Sequence, residues 1–224
     1  MIERYSITAD IGDMVEAFQV QKLIHCYTNR FNVAPTQTVS IVMHDKLGTR
    51  VMHDARWGLF PFWAKDSINA DYSGLTGKRF FDRMLRKQRC VVPCSGFFGW
   101  QKPDSEKEPR AMHIVVPHQR LFGIAGIYDE WRNYSGKLVR AFTMITAPSS
   151  GAMSQWQPQV PIILDEDGLE DWLNPTITEF RSLRKHLEPL ESYRMRAYPV
   201  TNAVGDEAYE SPDCIREIRL PDFA

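Results

Sequence analysis

The sequence predicts an α+β protein that folds as one domain, residues 1–224, around a mainly antiparallel β-sheet. Short apolar runs separated by turn residues recur through the middle of the chain, and this pattern is typical of antiparallel strands. Only four segments place their apolar residues with helical spacing. No linker or internal repeat divides the chain, and 224 residues are enough to bury one substantial core.

The first predicted element is a helix over residues 8–27, with Thr8 or Asp10 as its N-cap. Residues 32–43 should then run extended into a strand, because Pro35 disfavours helical backbone at the residue before it. The buried face of the helix would carry Met14, Phe18 and Leu23.

An aromatic-rich segment follows, and residues 49–63 are predicted to form a hairpin of two short strands. A short helix comes next over residues 77–88. Its surroundings are basic, since residues 78–89 hold six Lys or Arg and one acid. The apolar stripe of this helix would be Phe80, Phe81, Met84 and Leu85.

The rest of the chain supplies most of the sheet and two further helices. The helices are predicted over residues 165–173 and 176–187. Turn residues separate the strand-like runs, which favours antiparallel neighbours. The predicted strands are 89–93, 96–102, 111–116, 121–128, 138–146, 160–164 and 193–200.

Composition by itself indicates no particular class of partner. The net charge is −1, with 27 Lys and Arg against 28 Asp and Glu, so bulk charge indicates neither a nucleic acid nor a membrane. The four cysteines lack the spacing of a zinc site, and we expect reduced thiols, no metal ion and no cofactor. No signal peptide or membrane-spanning apolar run is visible, which predicts a cytoplasmic protein; a monomer is expected.

Residues 56–63 are unusually rich in rings, with two Trp, two Phe and one Pro. Two interpretations stay open. The rings could form a packed aromatic corner, or they could form a platform on which unpaired bases stack at ~1–3 kcal/mol per base. The basic helix would add phosphate contacts to such a platform, although by itself it is typical of a solvated face.

Several separate blocks resemble the SOS response-associated peptidase (SRAP) family, the abasic-site processing proteins. They are RWGLFPFWAKD, INA, RCVVPCSGFFGWQK, FGIAGIYDEW, FTMITAPSS and VPIIL, and the resemblance extends from RYS to YPVTNAVG. It implies a strongly bent sheet that forms an open barrel flanked by helices. It also implies binding of single-stranded DNA in a basic, aromatic-lined channel and a covalent bond to the aldehyde of an abasic site.

Most of the reactive residues that the resemblance implies are replaced in this chain. Family members begin Met-Cys-Gly-Arg, and the thiol and freed amine of the Cys close a thiazolidine ring on the aldehyde. Ile2 stands in place of that Cys, has no nucleophile and is too bulky for removal of Met1. Gly99 replaces the family's general acid/base Glu, and Gln157 replaces a His, which unlike Gln transfers protons near neutral pH. Asn69 alone matches the catalytic set.

The resemblance also implies which residues would contact DNA. Two phosphate-facing arginines of the family are replaced here, one by Asp71 and one by Gln159, and a carboxylate repels phosphate. Single-stranded DNA is therefore the expected partner, with weakened binding. The positions that match the family's channel are Arg4, Asn32, Pro35, Trp63, Asn69 and Thr146.

Three functional hypotheses stay open. The favoured one is a non-catalytic family relative that still binds single-stranded or damaged DNA. The second is an enzyme with residual crosslinking or lyase chemistry through the Met1 amine or Cys94. The third is an interaction protein whose former DNA channel binds a peptide or another ligand, which the acidic Glu3 and Asp71 would suit. Peptidase activity is not expected without the N-terminal Cys.

Overall fold

The computed structural model describes residues 1–24, 27–62, 64, 66–76, 78–102 and 109–219. Its helices and strands follow in chain order. They are β1 Tyr5–Ile7, α1 Ile11–Ala17, β2 Lys22–Leu23, β3 Arg30–Val33, β4 Thr38–His44, β5 Arg50–Trp57, β6 Asn69–Asp71, α2 Arg79–Lys87, β7 Arg89–Cys94, β8 Gly96–Gln101, β9 Arg110–Val115, β10 Phe122–Arg132, β11 Leu138–Pro148, β12 Gln159–Pro161, β13 Ile163–Leu164, α3 Glu166–Leu173, α4 Phe180–Leu183 and β14 Arg196–Pro199.

Five strands form a closed barrel in the order β11-β10-β7-β4-β5. Neighbours along this path are antiparallel, and the ring closes where β5 pairs in parallel with β11, Arg56 opposite Ala141 and Trp57 opposite Phe142. Four short strands pair with strands of the barrel: β2 with β5, β6 and β12 with β11, and β13 with β10. The predicted α+β class and bent, mainly antiparallel sheet are confirmed, and the barrel is closed rather than open.

A second, five-stranded antiparallel sheet has the order β14-β9-β8-β1-β3. β1 lies in its interior, since Tyr5 is paired with Phe97 on one side and with Val33 on the other. The Tyr5 ring also meets the buried Trp57 edge-to-face, with 5.3 Å between ring centroids. The residues before β1 are therefore fixed between the second sheet and the barrel.

The barrel core is apolar and closely filled, and helix α3 covers one side of it. Trp172 of α3 is fully buried, and its indole N–H lies 2.9 Å from the carbonyl oxygen of Cys90 and 3.2 Å from that of Gly126. A smaller apolar cluster lies under the C-terminal segment and joins that segment to the second sheet. Its buried members are Phe98, Ala111, Val200, Val204 and Cys214.

The predicted helix over residues 8–27 is wrong in its second half. Asp10 is the N-cap, but α1 ends at Ala17 because Gln19 has left-handed backbone with φ of 48°. Residues 22–23 pair instead with β5, and Leu23 is exposed. The end of the prediction, residues 25–26, lies outside the described part of the chain.

Most other strand predictions are confirmed, but residues 160–164 form two short strands, β12 and β13, and a 3₁₀ turn at Ser192–Arg194 precedes β14. Three corrections concern the aromatic and helical segments. Residues 49–63 do not form a hairpin, because β5 pairs with the preceding strand β4 and Gly58, at φ of 125°, turns the chain away. The basic helix is confirmed as α2, although Phe80 is 49% exposed rather than buried. The last predicted helix shortens to α4 followed by a 3₁₀ turn. In the described ranges, no helix is long and apolar enough to cross a membrane.

Candidate functional site

The start of the chain is held in place by two side-chain amides. Ile2 is fully buried, and its carbonyl accepts a 2.7 Å hydrogen bond from Nδ2 of Asn69. The preceding carbonyl, of Met1, accepts a 2.9 Å bond from Nε2 of Gln157. Asn69 lies on β6 and Gln157 lies two residues before β12 begins, so both edges of β11 contribute to the site. The structure thus brings together Ile2, Asn69 and Gln157.

Gly99 lies on β8 in the same neighbourhood, and the space beside it is filled. The carbonyl oxygen of Trp156 accepts a 2.9 Å hydrogen bond from the backbone N–H of Trp100. A Cβ at position 99 would lie 3.0 Å from that Trp156 oxygen and 3.0 Å from Cδ1 of Ile114. The segment that carries Gln157 therefore packs where a side chain at position 99 would begin. The sequence showed only that the Glu was missing.

The two positions where the resemblance implies phosphate-facing arginines are bonded to each other. Nε2 of Gln159 donates a 2.9 Å hydrogen bond to Oδ2 of Asp71. The other oxygen of Asp71 accepts from the backbone N–H of Ser73 and caps the 3₁₀ turn that follows β6. The carboxylate of Asp71 is thus occupied in holding this corner of the site.

The predicted DNA-contacting residues divide by exposure. Asn32 is fully buried, and its Nδ2 is 2.9–3.1 Å from three carbonyl oxygens of the C-terminal segment, at residues 204, 206 and 209. Thr146 is also fully buried. Arg4 and Pro35 are partly exposed, and Arg4 donates to the carbonyl of Gly205 at 3.1 Å. Trp63 lies outside the residues that the structure describes.

The two alternative nucleophiles differ sharply in their surroundings. Cys94 is fully buried, its thiol donates to the carbonyl of Gly96 at 3.3 Å, and burial raises its pKa far above the ordinary range. Because the thiolate is the reactive form, this environment makes Cys94 inert. Met1 is 44% exposed, and partial burial lowers the pKa of its amine, with Glu3 opposing the shift.

Ser6, His113 and Tyr198 form a buried hydrogen-bonded network in the second sheet. A Ser beside a His is typical of a catalytic pair, but here the network has a structural role. Tyr198 Oη donates to the carbonyl of Ile215 and lies 2.8 Å from Nδ1 of His113, and Nε2 of His113 lies 3.0 Å from Oγ of Ser6, which also bonds to the carbonyl of Gly96. Burial lowers the pKa of His113 to about 3, which keeps the ring neutral. Ser6 is fully buried, so the network joins β1, β9 and β14 and has no access to substrate.

The basic helix α2 is partly neutralised. Lys78, just before it, pairs with Asp66 at 2.5 Å, and Arg83 pairs with Asp129 at 2.6 Å. Arg89, at the start of β7, is buried and donates to backbone carbonyls at the ends of both α2 and α3. All five of the segment's cations other than Arg89 are exposed, and those that make no ion pair among the described residues are Arg79, Arg86 and Lys87.

The aromatic segment after β5 presents rings to solvent. Phe60 is 68% exposed, and its ring meets Phe62 edge-to-face with 6.5 Å between centroids. The guanidinium of Arg56 lies 3.8 Å from the centroid of Phe62. Exposed rings with an adjacent cation can stack on unpaired bases. Among the described residues, no group of His, Cys, Asp and Glu is arranged to hold a metal ion.

Fold and site together define a class of small α+β barrel proteins in which the start of the chain lies at the candidate site, held by residues from both edges of one barrel strand. The chain belongs to the SOS response associated peptidase (SRAP) family, whose family model matches residues 1–207. The resemblance inferred from the sequence motifs is therefore confirmed.

Two similar proteins carry abasic-site names. The chain is 30% identical over 223 residues to the abasic site processing protein YoqW of Bacillus subtilis, covering 96% of this chain and 99% of YoqW. It is 29% identical to the abasic site processing protein HMCES of Xenopus tropicalis, covering 76% of this chain and 58% of HMCES. A crystal structure of a Bacteroides thetaiotaomicron protein shares the fold, with a TM-score of 0.80, 21% identity, and coverage of 96% of this chain and 99% of that one.

Proposed function

We propose that this chain is an SRAP protein that has lost the family's covalent reaction with abasic sites and still binds single-stranded DNA. One observation carries the first half of the proposal. Position 2 holds a fully buried isoleucine. The side-chain amides of Asn69 and Gln157 donate hydrogen bonds to the backbone carbonyls of Ile2 and Met1, respectively. These described residues offer no thiol and no side chain that transfers protons near neutral pH.

The filled space at Gly99 supports the same conclusion independently. A side chain restored at position 99 would begin in tight contact with the Trp156 carbonyl oxygen, 3.0 Å from its Cβ, so the packing there opposes the missing Glu. The inert environment of Cys94 removes one of the two substitute nucleophiles. The amine of Met1 could form a Schiff base with an aldehyde, but without a thiol it could not close a thiazolidine ring.

The expected result with damaged DNA is the absence of a heat-stable adduct. The protein would be mixed with single-stranded DNA that carries one abasic site, and the products separated on a heated denaturing gel. A parallel sample treated with borohydride would trap a Schiff base of Met1. No slow band without borohydride, and intact DNA, would support the loss of chemistry. A heat-stable slow band would contradict it.

Retained DNA binding is supported by the abasic-site names of the relatives and by the exposed aromatic segment. We expect Phe60→Ala to weaken binding of an undamaged single-stranded oligonucleotide by about 5- to 160-fold, which corresponds to the loss of one base–ring stack at ~1–3 kcal/mol. Fluorescence anisotropy would measure it. Leu47→Ala, which truncates a 90% exposed residue on the β4–β5 turn, is the matched control and should change little.

A second candidate function, binding of a peptide or another less anionic ligand, is favoured by the Gln159–Asp71 pair where the family has arginines. Salt dependence separates the two. Phosphate contacts make affinity fall steeply with salt concentration, whereas a peptide site responds weakly. No measurable binding of the oligonucleotide at low salt, or equal effects of Phe60→Ala and Leu47→Ala, would contradict DNA binding through the aromatic segment.

A further inference from the structure

A cavity of about 280 Å³ opens on a face of the barrel that holds none of the residues around Ile2. It lies between the end of β4, the last turn of α2 and the segment that follows α3. Basic side chains dominate its lining, together with one hydroxyl. These residues are His44, Lys46, Arg86, Lys87, Arg89 and Thr178.

The charge in this cavity is not compensated by the described part of the protein. Lys46, Arg86 and Lys87 are exposed and make no ion pair among the described residues. Asp45 is the carboxylate of the lining, and its Oδ1 accepts the backbone N–H groups of Leu47 and Thr49. Four cationic side chains therefore face one carboxylate that already stabilises a turn.

Helix capping does not explain the exposed cations. Basic residues at a helix C-terminus usually interact with its unpaired carbonyls. Here Arg89 already does this, because its Nη1 donates to the carbonyls of Leu85 at 2.6 Å and Arg86 at 3.1 Å. Earlier in the segment, Lys78 and Arg83 each have a carboxylate partner. Arg86 and Lys87 thus carry charge that the capping of α2 does not require.

Arg89 adds a fixed positive charge at the buried side of the cavity. It is 6% exposed, and its described donor contacts are neutral carbonyls rather than carboxylates. Burial lowers its pKa to about 10, so an anion nearby would stabilise its charged form. A buried charge acts through a lower dielectric than a surface lysine and attracts an anion more strongly.

We propose that this cavity binds a phosphate group, with Arg86 and Lys87 as its principal donors and Lys46 closing it from the β4–β5 turn. Guanidinium and ammonium groups bind phosphate through charge-assisted hydrogen bonds, and Arg does so with two parallel donors. The phosphate belongs either to a nucleic-acid backbone or to a free phosphorylated molecule. This site does not depend on the proposed stacking of bases on Phe60.

The test is calorimetric titration with inorganic pyrophosphate. The double variant Arg86→Gln/Lys87→Gln should bind it at least about tenfold more weakly than the unaltered protein, the loss expected for one charge-assisted contact. The matched control is Arg79→Gln/Lys137→Gln, which removes the same charge from exposed positions outside the cavity and should retain affinity within about twofold. Thermal melting would establish that both variants are folded.

A second arm separates the two sources of phosphate. If the double variant also loses affinity for an undamaged single-stranded oligonucleotide, with a smaller salt dependence, the ligand is a nucleic-acid backbone. If only pyrophosphate binding falls, the ligand is a free phosphorylated molecule. The proposal is overturned if the unaltered protein does not bind pyrophosphate, or if both double variants lose affinity equally. Neither result bears on Phe60→Ala, so the two proposals fail separately.

Discussion

Gly99→Glu is expected to lower the free energy of unfolding by about 3–5 kcal/mol, because the new side chain would be both overpacked and buried with its charge unpaired. Its Cβ would lie 3.0 Å from the carbonyl oxygen of Trp156 and 3.0 Å from Cδ1 of Ile114. Urea unfolding followed by tryptophan fluorescence measures the change.

Gly99→Ala separates the two contributions, since it adds the Cβ without the charge. It should cost about 1–3 kcal/mol, the usual range for overpacking. A Gly99→Glu variant as stable as the unaltered protein would show that the segment carrying Trp156 moves aside easily. In that case the site would be open to restoration, and the loss of the reaction would rest on Ile2 and Gln157 alone.

The same contact links two of the replaced positions. Trp156 contacts position 99 through its carbonyl, and the next residue, Gln157, holds the Met1 carbonyl at 2.9 Å. Substitutions that share a contact are not additive. The triple change Ile2→Cys, Gly99→Glu and Gln157→His therefore tests more than the presence of three side chains, because the packing between two of them must also rearrange.

Arg89→Met should lower the free energy of unfolding by about 3–5 kcal/mol, as expected when several charge-assisted hydrogen bonds are lost together. Its guanidinium donates to the carbonyls of Trp172 at 2.5 Å, Leu85 at 2.6 Å and Asn174 at 2.6 Å. Methionine has a similar volume but no donor, so these carbonyls would lose their charged partner. Denaturant unfolding gives the magnitude, and amide hydrogen exchange should show faster opening of α2 and α3.

Arg89→Lys is the informative comparison for this prediction. Lysine keeps the charge but cannot reach carbonyls on two helices with one planar group. We expect it to retain roughly half of the stability that Arg89→Met loses, in line with the number of donors it can place. Equal stability of Arg89→Met and the unaltered protein would contradict a role for Arg89 in joining α2 to α3.

The strands of this fold could be predicted from the sequence because each short apolar run ends at turn residues, and local pattern alone decides such elements. The first helix could not be bounded in the same way. The spacing of Met14, Phe18 and Leu23 fits one helical face, yet Gln19 adopts left-handed backbone and Leu23 belongs to a strand beside β5. That outcome depends on a pairing with residues far along the chain.

The candidate site shows a similar limit. Its positions could be predicted from the motifs, but their exposure could not. Asn32 is buried because residues 204–209 fold back over β3 and receive its amide N–H groups, a contact between distant parts of the sequence. The hydrogen bonds from Asn69 and Gln157 to backbone carbonyls could not be predicted from the sequence either. No residue pattern distinguishes a side-chain amide that binds a ligand from one that binds the protein's own backbone.

The parallel pairing that closes the barrel sets a constraint on synthesis. β4, β5, β7 and β10 can pair with one another soon after they leave the ribosome, but residues 56–57 of β5 have no partner on their second edge until β11 is made. Until then the nascent chain presents an open strand edge, which is a template for pairing with other chains. Closure also joins segments distant in sequence, which slows folding. The period between translation of β5 and translation of β11 is thus when this protein is most exposed to aggregation.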